Sequence, residues 1–135
     1  RTAVTPERVA INLMDARIPD NTGYQPIDEP IAPDGPAAYF STLPVKAIAE
    51  RIQSAGLPAV VSNTAGTYVC NNLLYTLLHT AALEYPGLRG GFLHVPYAIE
   101  QLPGKPGDTF GMKLCDIARA LTCAVEAIAE HLLER

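Results

Sequence analysis

The chain has 135 residues, 48% of them hydrophobic and 18% charged, which suits one domain with a real core and excludes a disordered tail. Its net charge is −4 and it holds no run of Lys and Arg, so no nucleic-acid partner is expected. Residues 52–83 carry no Asp, Glu, Lys or Arg, but Gly56, Pro58, Asn71 and Asn72 break the window, so no membrane span is expected there.

The opening RTAVTPER has no apolar leader and no methionine, which predicts a processed, trimmed or partial chain. Residues 8–13, RVAINL, alternate and place Val9, Ile11 and Leu13 on one face, as a strand does. Residues 15–38 are rich in Pro, Asp and Gly and have no period. They read as a long loop of the kind that carries function. A helix is expected over 41–56, capped by Ser41 or Thr42, with Pro44 in the first turn and Gly56 as the stop. Its buried stripe would be Val45, Ile48, Ala49 and Ile52. A short strand, Ala59 to Val61, follows.

From Cys70 the pattern turns helical, with Leu73, Leu74, Leu77 and Leu78 at three- and four-residue steps, and should end near Tyr85 before Pro86-Gly87. GGFLHVP, 90–96, reads as a strand and 97–108 as a Pro/Gly loop. The last helix would bury Leu114, Ile117, Ala118, Leu121, Val125, Ile128 and Leu132. Alternating strands and helices argue for an α/β domain with a mostly parallel sheet, in which sites form where strands end and helices begin.

Cys70 sits at such an end, just after the small residues Ala65, Gly66 and Thr67. A helix N-terminus favours thiolate over thiol, and its free N–H groups can hold an oxyanion. The bland alternative is a small buried hydrophobe. His94, at the end of the next strand, is the candidate base. His79 lies nine residues down the same helix, on the order of 13 Å along the axis, and is a poor one. His131 would complement the dipole of the last helix. The group orienting the imidazole could be Glu7 or an acid of the 15–38 loop, and spacing does not choose. Cys115 and Cys123 read as core residues of the last helix. An odd cysteine count with no C-x-x-C predicts no disulfide framework and a reducing, cytoplasmic setting. The histidines and cysteines lack metal-ligand spacing, so no metal is expected. GKPGD, 104–108, is not a phosphate loop, and Gly90-Gly91 reads as a tight turn.

SNTAGTYVCNNLLY resembles the cysteine motif of the pyroglutamyl-peptidase I family, and GGFLHVPY its histidine motif. TPERVAIN with DARIPDNTGYQPID resembles the glutamate motif and the signature after it, and GPAAYFSTLPVKAI is also similar to the family. The likeness covers nearly the whole chain in one order. It implies a three-layer α/β/α fold with a mostly parallel mixed sheet. It also implies a cytosolic, cofactor-free cysteine peptidase that removes N-terminal pyroglutamate and tends to form homo-oligomers. In that pattern Cys70 is the nucleophile, His94 the general base and then acid, and Glu7 the group that orients the imidazolium. Arg17 supports the active site, and Tyr68 and Val69 line the pyroglutamyl pocket. The family pattern also has a segment before the position of Arg1, with a strand, a Phe-rich pocket loop and a Gly-rich turn. The sheet and pocket are therefore expected to be incomplete here, and the 135 residues alone to have little activity. A non-catalytic remnant that keeps the fold, a hydrolase for another acyl substrate and a redox-sensing thiol protein are the competing readings.

Overall fold

The computed structural model describes residues 1–133. The elements in order are β1 (Thr5–Pro6), β2 (Val9–Ile11), β3 (Ala38–Phe40), α1 (Val45–Ser54), α2 (Val69–Glu84), β4 (Leu93–His94), β5 (Tyr97–Ala98), a 3-10 turn (Ile99–Gln101), β6 (Gly111–Met112) and α3 (Leu114–Leu133). Strands and helices are interspersed along the chain, three strands before α1 and α2 and three more before α3, consistent with an α/β fold. Pairing among the described residues is short and mixed: β1–β4 and β2–β3 are antiparallel and β5–β6 is parallel. The contacts divide the chain into two compact units.

One unit comprises Arg1–Pro6, Pro44–Ser62 and the chain from Leu93 on. Val4 is fully buried and donates its N–H to Pro58 O at 2.9 Å, while Val60 N donates back to Val4 O at 3.1 Å. The expected strand at 59–61 is thus a parallel bridge at Ala59 rather than a longer ladder. Thr5 lies opposite His94 and Pro6 opposite Leu93. Helix α1 buries Ile48, Ala49 and Ile52, as the stripe predicts. Its cap differs from expectation: Pro44 holds the N-cap position and no side chain caps it. Gly56, at φ +78°, ends the helix as expected.

The buried face of α3 is a correction. Ile117 is buried as expected, but it is joined by Ala120, Cys123, Ala124 and Ala127, whereas Leu114, Leu121, Val125 and Leu132 are exposed. Both faces of this helix are apolar, so periodicity alone fits either. The small face is the one that packs, because Ala side chains let α1 and α3 approach closely. Arg51 of α1 then reaches Glu126 at 3.3 Å and also bonds Glu130, and Arg119 donates to Ala55 O at 2.6 Å. Cys123 is buried as expected, but Cys115 is exposed.

The other unit comprises Glu7–Leu43 and Asn63–Phe92. Ala10 of β2 and Leu74, Tyr75 and Leu78 of α2 form its core, with Ile31, Ala32, Tyr39, Ala65 and Phe92 packed against them. Leu73 and Leu77 face outward, so only half of the expected leucine stripe is buried. The long loop is tied down. Asn12 Nδ2 donates to Ala32 O at 2.7 Å, Asn12 Oδ1 accepts from Ala32 N at 2.9 Å, and Tyr75 OH donates to Pro36 O at 2.7 Å. Ser41 and Thr42 bond Gly90 O instead of capping a helix. Gly91 makes a close approach to Leu43 and Ser41 where a tight turn was expected.

Candidate active site

Cys70 is the second residue of α2, half-buried and free. Tyr68 takes the N-cap position with non-helical backbone (φ −116°, ψ −145°), and no side chain bonds the cap. The first helical bond runs from Asn72 N to Tyr68 O at 3.0 Å. The N–H groups of Val69, Cys70 and Asn71 therefore precede the helical ladder, and they point along the positive end of the helix dipole. Gly66, at φ +79°, makes the turn that leads into this helix, a backbone shape a β-carbon would strain.

A cavity of about 680 Å³ opens at this turn. Its wall holds Cys70, Val69, Tyr68 and Thr67 on one side and Asp15, Arg17 and Ile18 on the other. Four of the six residues singled out from the sequence, Arg17, Tyr68, Val69 and Cys70, thus meet at one cavity. Arg17 is placed there by a reciprocal pairing two residues earlier. Asp15 N donates to Thr67 O at 2.8 Å, and Thr67 Oγ1 donates to Asp15 O at 2.9 Å. A second cavity of about 400 Å³ shares Thr67, Tyr68 and Val69 and is walled further by Met14, Tyr24 and Leu73.

Glu7 opens the same unit and is fully buried, and its backbone N–H donates to Phe92 O at 2.8 Å. A buried carboxylate is costly to hold, which sets Glu7 apart from the exposed acids of the 15–38 loop. His94 belongs to the first unit, in β4 opposite Thr5, with Arg1 Nη2 at 3.3 Å from its Nδ1. A guanidinium only donates, so Nδ1 accepts in that contact.

His79 Nδ1 lies 2.9 Å from Tyr39 OH and its ring stacks on Tyr75 at 5.7 Å, a packing role. His131 lies in the last turn of α3. Among the described residues no three His, Cys, Asp or Glu side chains group as metal ligands, and no helix is long and apolar enough to cross a membrane.

Sequence reasoning missed Asn71. It is 1% exposed and bonds three backbone groups of the 11–13 segment. Its signal was present: Asn71, Leu74, Tyr75 and Leu78 follow the i, i+3, i+4, i+7 steps of a core face.

Three kinds of similarity point to one family. The family model for pyroglutamyl peptidase matches residues 1–131. A pyrrolidone-carboxylate peptidase of Streptococcus pneumoniae is 57% identical over 131 residues, covering 97% of this chain and 61% of the relative. The crystal structure of pyroglutamyl peptidase I from Bacillus amyloliquefaciens superposes with a TM-score of 0.90 at 50% identity, covering 96% of this chain and 60% of that one. Pyrrolidone carboxyl peptidase from Thermococcus litoralis gives a TM-score of 0.94 at 43% identity, covering 99% and 63%. The chain thus spans about three-fifths of the length of these relatives. With the family model matching nearly every residue, the chain belongs to the pyroglutamyl peptidase family.

Proposed function

We propose that this chain carries the catalytic residues of a cysteine peptidase that removes N-terminal pyroglutamate from peptides. The observation that carries the reading is the placement of Cys70 in the first, uncapped turn of α2, at the mouth of a cavity walled by Arg17, Tyr68 and Val69. The relatives described as pyrrolidone-carboxylate peptidases support the substrate class.

In this reading His94 takes the Cys70 proton, and the thiolate attacks the pyroglutamyl carbonyl carbon. The resulting oxyanion is held by backbone N–H groups at the start of α2. The C–N bond then breaks, His94 returns the proton to the leaving amine, and a thioester remains on Cys70. Water activated by His94 adds to the thioester, releasing pyroglutamate and restoring the thiol. Glu7 orients the imidazole and balances its charge. Tyr68 and Val69 suit an uncharged lactam, which offers no amine for a carboxylate to grip. No metal or cofactor enters these steps. A cytoplasmic setting accords with three free cysteines, and homo-oligomer formation accords with the exposed apolar face of α3.

The competing reading is a remnant that keeps the fold without turnover. The test is release of a fluorophore from a pyroglutamyl amide, run beside Cys70→Ala and with site-resolved alkylation of Cys70 and Cys115. The peptidase reading expects Cys70 to react with iodoacetamide well ahead of Cys115 near neutral pH, and any turnover to vanish in Cys70→Ala. A Cys70 no faster than Cys115, with no turnover, supports the remnant.

A further inference from the structure

We infer that Asn71 is a positioning residue for the nucleophile, acting as a side-chain strand partner that locks the first turn of α2 to the end of β2. The inference rests on the reading of Cys70 as nucleophile and adds to it a residue outside the Cys-His-Glu set.

The geometry is specific. Ile11 lies opposite Ala38 in the β2–β3 pair, and Asn12 N donates toward that neighbour, to Ala37 O at 2.8 Å. Successive residues of a strand point their peptide groups to opposite edges. The N–H and C=O of Ile11 therefore face the open edge, and Asn71 meets both: Oδ1 accepts from Ile11 N at 2.9 Å and Nδ2 donates to Ile11 O at 2.9 Å. The second hydrogen on Nδ2 goes to Leu13 O at 3.1 Å. Only one orientation of the amide makes all three bonds, because the flipped one would set Oδ1 against two carbonyls. At 1% exposure, water cannot replace them.

What is locked is the turn that carries Cys70. Helix starts lack four internal bonds and fray unless something holds them. This start has no side-chain cap. The Asn71 bonds lie one residue beyond the thiol, and the Thr67–Asp15 pairing lies three residues before it. Together they clamp the Leu13–Arg17 segment and the Thr67–Asn71 turn into one frame, and Asp15 and Arg17 of the first line the Cys70 cavity with Thr67 to Cys70 of the second. If the turn loosens, the free N–H groups and the dipole at the start of α2 are no longer held in place, and a thiolate there loses stabilisation.

The test is the pH profile of Cys70 alkylation by iodoacetamide, read by mass spectrometry on the tryptic peptide of residues 52–89. It compares the 135-residue chain with Asn71→Ala, Thr67→Val and Tyr75→Phe. Tyr75→Phe removes a buried hydrogen bond from the same helix, away from the thiol, and controls for general loosening. Asn71→Ala should slow Cys70 modification about fivefold at pH 7. Thr67→Val should do the same to a smaller extent, and it keeps the test alive if Asn71→Ala fails to fold. Tyr75→Phe should match the parent chain in rate across the profile. A fast parent Cys70 that stays equally fast without Asn71, or without Thr67 where only that variant folds, overturns the inference and leaves the proposed function standing. Equal slowing by Tyr75→Phe also overturns it. A sluggish Cys70 in the parent chain overturns both.

Discussion

The Tyr75 hydroxyl donates to the Pro36 carbonyl at 2.7 Å, binding the end of the long Pro-rich loop to the middle of helix α2. Tyr75 is fully buried, and removing its hydroxyl takes this donor away from the Pro36 carbonyl. Tyr75→Phe should lower stability by about 1–2 kcal/mol, read as a shift in the urea midpoint with an unchanged slope.

The same residue makes stability fall in alkali. Burial, then the neighbouring Tyr39, pushes the Tyr75 phenol above its ordinary range, so the fold holds the neutral form. An acid with a raised folded pKa gives stability that is full below its unfolded value, about 10 for tyrosine, and that fades as pH climbs through the folded value. The urea midpoint should therefore drop from pH 8 to pH 11, and the drop should be smaller in Tyr75→Phe.

Gly35 lies where a β-carbon would overlap the Tyr75 hydroxyl and would stand 2.9 Å from Ala32 Cβ. Its backbone is not in the left-handed region, so the demand is for space alone. Gly35→Ala should cost about 1–3 kcal/mol by displacing the loop or the ring. Pairing it with Tyr75→Phe in a double-mutant cycle should recover part of that loss, because the overlapping oxygen is then gone.

The two faces of α3 should respond in opposite ways. Ala120 and Ala124 are buried where α3 packs, whereas Leu121 and Val125 are 41% and 65% exposed. Ala124→Leu should destabilise by about 1–3 kcal/mol through overpacking. Leu121→Lys should move stability within about 0.5 kcal/mol, read as the urea midpoint. The stripe expected from periodicity would give the reverse order.

What was legible in the sequence follows from which signals are local. Gly56 and the Pro86-Gly87 pair marked helix ends because backbone chemistry there is local. The buried side of α3 was not legible, since Leu121 and Val125 repeat with the same period as Ala120 and Ala124 and only packing decides. The short strands were hidden for another reason. Thr5–Pro6 contains a proline, and Tyr97–Ala98 and Gly111–Met112 sit in or beside a Pro/Gly-rich run, so pairing partners create them and propensity does not. At the site, a lone cysteine at a helix start was readable, as was the small-residue turn before it. Spacing could not rank Glu7 against the acids of the loop, and its complete burial is what separates them. Asn71 read as a polar break in an apolar window. Its use emerges only when the edge of β2 is brought against the helix.

The most direct measurement of the central claim is the mass of the Cys70 peptide, residues 52–89, after the chain is mixed with a pyroglutamyl ester and quenched in acid. Nucleophilic catalysis at Cys70 predicts a fraction of that peptide heavier by one pyroglutamyl group, labile to hydroxylamine, and absent from Cys70→Ala. An unmodified Cys70 peptide, or acyl label carried equally by Cys115, would contradict it.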